Sequence, residues 1–363
     1  MGIRLPRTKL AIFSFLLLSG SIATLCHAQE TTSLPTELGA NRTPNADERK
    51  EKDFRCKVPA ESNELVDRVR ASTHTRLCNT AGWVDALFGN QEQFNGEEFR
   101  GKISLGFRED EVEGLDPRLR VRIKTDLPNV SKRFNAFFGK VEEDSYISNT
   151  EVNEDRLNNV GLRSSDDDDS EWLVGLGYRG PNAESNGWDF SVGAKLSSGV
   201  KPYAKVAHRY LIPLSENSFW KTAQTVFWRD QDGFGVSSTA DYTKLLGDND
   251  ILVTHGSVKY TEEAEQLEWF ADTRWHHSFT QKKGISSSVY IRGEAENEVT
   301  VPEFGVTLTY IQPILRDWLY MEIGLDRRWE RQRKSQRSYK HALRFGIQFE
   351  MLLGDYYRRK KRK

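Results

Sequence analysis

The feature that most limits what this chain can become is a long succession of extended segments with alternating apolar and polar side chains, running from Phe99 to Leu353. The last of them, His341 to Leu353, reads HALRFGIQFEMLL. Leu343, Phe345, Ile347, Phe349 and Met351 share one face; Arg344, Gly346, Gln348 and Glu350 share the other. A period of two marks a β-strand, because successive side chains leave a pleated strand on opposite sides. Alternation alone leaves two architectures open. In a soluble sandwich the polar face meets solvent, whereas in a membrane barrel the apolar face meets lipid and the polar face lines the lumen.

Ahead of the strands the chain carries an export signal. Arg4, Arg7 and Lys9 precede the apolar run Leu10 to Leu18, and Cys26-His27-Ala28 fits a small-x-small cleavage site before Gln29. The apolar run falls short of the roughly 20 residues that a helix needs to cross a bilayer, and Leu25 stands where a lipoprotein signal wants a small residue. Residues 1–28 are therefore expected to be a signal peptide. Its removal turns the formal charge of -1 into about -4, which does not point to a nucleic-acid partner. Cys56 and Cys78 then remain as an exported pair, for which a disulfide is expected. Two cysteines are too few ligands for a metal site, so neither a metal nor a cofactor is expected.

Gln29 to Lys57 is rich in Thr, Pro, Asn, Glu and Lys, and is expected to be a disordered leader. Residues 58–97 carry two short helical patterns, Glu61 to Arg70 with Leu65, Val66 and Val69 on one face, and Thr80 to Phe88 with Trp83, Val84, Leu87 and Phe88 on one face. Each is too short to stand alone. A position at the periplasmic rim of a barrel, stapled by Cys56 and Cys78, is preferred over a plug inside it. Residues 98–353 then read as strands near Phe99 to Arg108, Arg118 to Thr125, Arg133 to Val141, Glu171 to Arg179, Trp188 to Leu196, Lys201 to Tyr210 and Phe219 to Arg229. The series continues at Phe234 to Lys244, Ile251 to Tyr260, Leu267 to Phe279, Ile285 to Ala295, Phe304 to Gln312, Trp318 to Trp329 and the closing strand. That makes about fourteen, with twelve or sixteen if a hairpin is split or merged; an even number returns the chain to the side where it began. The acidic stretch Glu142 to Ser170, with Asp166 to Asp169 in succession, is read as a long loop, and residues 354–363 as a basic tail.

Three features favour the membrane barrel. The segments run about 9 to 13 residues, the length that crosses lipid at a tilt, whereas soluble strands cluster near 5 to 6. Aromatic pairs recur on the apolar face at Trp172 and Tyr178, Trp220 and Trp228, Trp269 and Trp275, and Phe304 and Tyr310. Such separations project to roughly 15 to 20 Å, close to the interfacial girdles of a membrane barrel. Tight turns at Gly247-Asp248-Asn249 and Gln281 to Gly284 fall at one end, with the longest loop at the other. The string RFGIQFEM at Arg344 to Met351 also resembles the closing-strand signal of Gram-negative outer-membrane β-barrel proteins: a polar residue, a glycine two on, an aromatic three later and an apolar residue two after that. The resemblance covers about Phe99 to Leu353. It implies an all-β, closed antiparallel barrel in the bacterial outer membrane, with lipids and lipopolysaccharide as neighbours and with barrel-assembly machinery recognising Arg344 to Met351. Here the chain runs past the usual terminal aromatic through Tyr356-Tyr357 to Lys363.

Function is then sought on the inward face. Arg100, Lys102, Arg108, Arg118, Arg120, Arg122 and Lys124 form a basic wall from the first two strands. Later strands add Glu268, Asp272, Glu294, Glu296, Glu322, Asp326 and Glu350, interspersed with Arg274, Arg292, Arg328 and Arg344. A lumen with such a transverse field suits a porin-like channel for small hydrophilic or anionic solutes. Two other readings stay open: a plugged structural or assembly barrel held by ion pairs, and a lipid-acting hydrolase built on His276 and Ser278. His276 and Ser278 share the inward face while His277 faces lipid, so the lipid-facing histidine lacks a serine. Arg331, Arg333, Lys334 and Arg337 could clamp lipopolysaccharide phosphates, Asp166 to Asp169 could hold a divalent cation bound by lipopolysaccharide, and Arg358 to Lys363 could hold anionic headgroups.

Overall fold

The computed structural model describes Cys56 and residues 64–86, 99–111, 114–127, 131–150, 170–181, 186–230, 232–280, 282–295, 297–331 and 338–354. The signal run, nearly all of the leader, Asp166 to Asp169, Glu296, Arg333, Lys334, Arg337 and the tail from Arg358 lie outside the described residues.

Fourteen strands follow one another around a closed barrel in chain order, each antiparallel to its neighbours. They are β1 (Phe99–Asp110), β2 (Gly114–Leu127), β3 (Ser131–Glu142), β4 (Ser170–Arg179), β5 (Asn186–Leu196), β6 (Val200–Ser215) and β7 (Ser218–Arg229). The series continues with β8 (Gly233–Leu245), β9 (Asp250–Thr261), β10 (Leu267–Thr280), β11 (Lys283–Glu294), β12 (Glu303–Ile314), β13 (Arg316–Glu330) and β14 (Lys340–Gly354). Every alternating segment of the sequence is one of these strands. Several run further than the alternation: β2 is 14 residues long because its ladder with β1 continues to Asp110 opposite Gly114, beyond the last apolar side chain.

The alternation decides the two faces. Leu105, Phe107, Leu119, Phe345 and Leu343 are exposed on the outside, while Arg108, Arg118 and Arg344 are buried within. All four aromatic pairs of the girdle pattern lie on the outer face. An apolar exterior around a charged interior is the sidedness of a transmembrane barrel and the reverse of a soluble one.

The seam pairs Ser104 with Glu350 and Leu105 with Phe349. It ends at Gly354, where φ is +63° and a Cβ would lie 2.1 Å from the Phe99 carbonyl oxygen, so both conformation and space demand glycine. The rim holding Phe99 and Gly354 is termed the lower rim, and the opposite one the upper rim. At the lower rim a single residue, Leu315 at φ 56°, joins β12 to β13, and the Ser215 and Ser218 hydroxyls bond at 2.7 Å across the β6–β7 turn.

In place of two short helices there is one, α1 (Leu65–Ala86), of 22 residues. No glycine or proline interrupts Arg70 to Thr80, so a single nucleation serves the whole length. Of the first apolar set Val66 packs on the barrel but Leu65 and Val69 are exposed, while Asp67, Arg70, His74, Cys78, Ala81 and Asp85 are buried; the side chains of Trp83, Val84, Leu87 and Phe88 lie outside the described residues. The lower rim supplies partners for that polar face. Arg316 reaches Asp67 at 2.8 Å and Glu64 at 2.9 Å, the Arg70 guanidinium lies 4.9 Å from the centre of the Trp318 ring, and His74 meets Phe99 edge-on at 5.4 Å. Cys78 is bonded to Cys56 and packs, with Ala81, in one cluster with Phe99 and Leu353. A helix chosen by apolar periodicity alone would dock the wrong side, because burial of a charge is tolerable wherever its counter-charge is already fixed.

Candidate functional site

The inner wall divides into two arcs. On β10 to β14 and β1 many of the inward charged side chains are buried, several of them in ion pairs. Asp110, at 0% side-chain exposure, accepts from Arg344 Nε at 2.8 Å and lies 3.0 Å from Arg328 Nη2; each arginine is 1% exposed. Arg328 also meets Glu330 at 2.6 Å, and Lys102 lies 3.8 Å from Glu350 across the seam. Asp326 accepts from Thr307 at 2.8 Å and from Tyr290 at 3.3 Å, and Asp272 pairs with Arg274. At the lower end of this arc Ile311, Trp318, Tyr320 and Leu352 point inward and pack against Val66 of α1, which closes the wall from below.

The other arc, β2 to β7, is looser and more basic. Arg120, Arg122 and Lys124 stand half-buried on β2, and Lys205, Arg209 and Lys221 stand half-buried on β6 and β7. The β2 residues sit two apart, so the cations rise about 6.6 Å per step along one strand face. Into this arc folds the start of the long loop. A short helix, α2 (Glu143–Ser148), follows β3 directly and ends at Asn149, φ 59°. Tyr146 stacks on Phe137 at 4.3 Å, and Ile147 packs with Val141, Leu173, Tyr203 and Phe227, all inward residues. Lysine and serine side chains of the wall hold its backbone: Lys205 donates to the Tyr146 carbonyl, Ser237 donates to the Ser148 carbonyl, and Lys195 pairs with Glu143. The acidic stretch therefore does not loop away from the barrel at its start; its first turn is inside. The signal for that was Tyr146-Ile147, an aromatic and an aliphatic residue in an otherwise polar run.

The sequence-chosen lumen residues separate between the arcs. Lys102, Asp272, Glu322, Asp326 and Arg344 are buried in the paired arc. Arg100 reaches Asp126 at 3.3 Å, Arg118 reaches Asp116 at 2.6 Å, and Glu268 reaches Lys259 at 2.8 Å, while Glu294 accepts from Asn297 near the upper rim. Arg120, Arg122 and Lys124 are the chosen residues that keep exposure on the looser arc. The charges on β5 to β7 and the His255–Asp241 pair, 2.7 Å apart and buried, were passed over. The parity rule that picked β2 would have found them.

His276 and Ser278 share the inward face, with Ser286 directly opposite His276 on β11. His277, on the outer face, bonds Asp250 at 2.9 Å between the rings of Trp275 and Phe279, at 5.7 and 5.0 Å. Its cross-strand neighbours are Asp250 and Ile285. Neither supplies a hydroxyl, which separates this histidine from a serine-histidine arrangement on the lipid side.

No protein-family model matches the chain, and no curated protein matches it. Similar solved structures include outer-membrane expressed OmpT of Vibrio cholerae, 10% identical with a TM-score of 0.43 over 70% of this chain and 96% of that one. The outer membrane channel DcaP of Acinetobacter baumannii is 8% identical with a TM-score of 0.39, over 70% of this chain and 96% of that one. The KdgM porin in complex with disordered oligogalacturonate is 6% identical with a TM-score of 0.34, over 69% and 98%. Values this low carry no functional argument, and the architecture rests on the strand ladders and the sidedness of the wall.

Proposed function

We propose that this barrel is a porin-like channel of the Gram-negative outer membrane that passes small hydrophilic solutes and favours anions. The supporting observation is the set Arg120, Arg122 and Lys124 on β2 with Lys205, Arg209 and Lys221 on β6 and β7, cations that stay half-exposed on one arc of the lumen although Arg209 pairs with Asp189 and Lys205 donates to the Tyr146 carbonyl. A low-dielectric wall carrying one sign of charge focuses the field and concentrates counter-ions. In this reading residues 1–28 are cleaved on export, the lower rim with α1 faces the periplasm, Arg344 to Met351 is read by the assembly machinery, and the upper rim meets lipopolysaccharide.

The paired arc favours a second reading, a closed structural barrel whose ion pairs only hold the wall together. Planar-bilayer recording of the purified full chain separates the two. The channel reading expects steady conductance steps with a reversal potential displaced toward the anion in a salt gradient. A silent barrel, or steps with cation preference, would overturn it.

A further inference from the structure

Most of the outer wall at mid-height is large and apolar, as at Leu119 on β2, Leu176 on β4, Leu325 on β13 and Phe345 on β14. On β7 to β10 a band of polar and small residues interrupts it, beside the exposed Val226, Val236 and Val258. The strand registers bring together Gln224 beside Ser238, and Thr222, Ala240, Gly256 and Ala271 in one row. Directly below, Thr254 and Thr273 share a hydrogen bond at 3.2 Å. Thr222, Gln224, Ser238 and Ala240 lie along their strands between Trp228 above and the Trp220–Tyr242 pair below, rings 5.3 Å apart, so they occupy hydrocarbon depth, while Thr254 and Thr273 continue the row of that lower pair. Acyl chains offer no hydrogen bonds, and polar side chains at this depth cost free energy unless something answers them. Gln224 donates to Ser238 Oγ at 2.7 Å, and among the described residues its carbonyl oxygen accepts nothing.

Gly256 points the same way from independent geometry. A Cβ on Gly256 would meet no atom within 4 Å, and its φ lies outside the positive range. Neither the backbone nor the chain's own packing asks for glycine there. By contrast Gly139, Gly235 and Gly293 each face a neighbour that a Cβ would strike, at 2.4, 2.3 and 2.0 Å. Glycine weakens a strand interior, and where it is not needed internally it suits the close approach of another surface.

We propose that this polar, small-residue face on β7 to β10 is where a second copy of the chain docks within the membrane. A soluble partner cannot reach it, so the occupant has a wall of its own at the same height. This chain supplies one, with the same spacing between aromatic girdles. Hydroxyls and a carboxamide both donate and accept, so the face is complementary to itself, as contacts between identical subunits require. With its flanking strands β6 and β11 the face spans about 24 Å by about 25 Å, roughly 600 Å² per copy, the order of a standard interface. The membrane-barrel architecture is its premise; the channel reading is not.

The test counts copies of the full chain in lipid nanodiscs by single-molecule photobleaching, with cysteine cross-linking alongside. Wild type is expected to hold more than one copy per particle, and Gly256→Trp to fall to one copy with its strand circular-dichroism signal retained. Ala240→Cys is expected to cross-link two chains under mild oxidant, and Leu119→Cys on the opposite wall is not. A wild type with one copy per disc overturns the proposal, as do equal cross-linking from both positions or an Ala240→Cys adduct formed only with a different protein. If Gly256→Trp does not fold, the cysteine pair decides the matter alone.

Discussion

The two arcs of the lumen carry similar residue types and treat them in opposite ways. On β10 to β14 and β1 lie most of the buried inward charges, several of them against a counter-charge, and α1 packs against this arc at its lower rim. On β2 to β7 the cations keep partial contact with the interior, and the element that approaches them, α2, is held by polar side chains of the wall. The difference lies in where the acids fall. Asp110 serves Arg328 and Arg344 together, and Glu350 answers Lys102 across the seam. On β2 the acids Asp116 and Asp126 stand only at the two ends of the inward run and pair with Arg118 and Arg100. One arc holds most of the buried charges, and on the other the cations stay half-exposed.

If that division is real, the same kind of substitution must cost far more on one side than on the other. Asp110→Ala strips the shared partner from two guanidiniums that are each 1% exposed. Losing one partner of a buried ionic group costs about 3–5 kcal/mol, so reversible urea unfolding in lipid vesicles should show the largest loss here. A loss under about 1 kcal/mol would mean that water reaches this arc after all. The double substitution Cys56→Ser with Cys78→Ser tests the lower closure. The bridge spans a separation of 22 residues, and a loop of that size is worth about 3 kcal/mol in chain entropy. That loss is expected as early proteolysis of α1, with the barrel transition itself nearly unmoved. On the other arc, Ser237→Ala removes the donor to the Ser148 carbonyl. Leaving a buried acceptor unmet costs about 1–3 kcal/mol, felt as loosening of α2; conductance should rise, and an unchanged conductance would place α2 outside the conducting path.

These contrasts also mark what could be read from the chain before its fold was known. The strands, their number and the identity of the two faces were all legible, because lipid on one side and charge on the other write the same period-two rule into every segment. Seam pairing was legible too, since closing the ring must set Glu350 beside the first strand. Three things were not. The polar face of α1 buries because Arg316, far away in the chain, stands ready for Asp67, and no local pattern encodes a partner 249 residues distant. The inward turn of α2 rests on Tyr146 and Ile147, two residues too few to make a period. Which charges are buried and which stay half-exposed was also hidden, because parity assigns a face to a side chain but not a neighbour.

The smallest effect on stability and the most direct reading of the looser arc come from the same variant. In Arg120→Glu with Arg122→Glu, two half-buried side chains change sign on one strand face, beside Arg118 and Lys124. Partly exposed charges contribute about 0–1 kcal/mol each to stability, and the new carboxylates gain cationic neighbours in Arg118 and Lys124, so the unfolding midpoint should hardly move. The field is another matter. Reversing two of the four cations of the β2 ladder removes its excess positive charge, and the reversal potential in a salt gradient should shift toward the cation, more strongly at low ionic strength, where screening is weak. The equivalent reversal at Arg328 on the paired arc should instead unfold the barrel before selectivity could be measured. Should Arg120→Glu with Arg122→Glu conduct with unaltered ion preference, the looser arc is not where solutes choose their path. Should it unfold the protein as Asp110→Ala does, the two arcs are one.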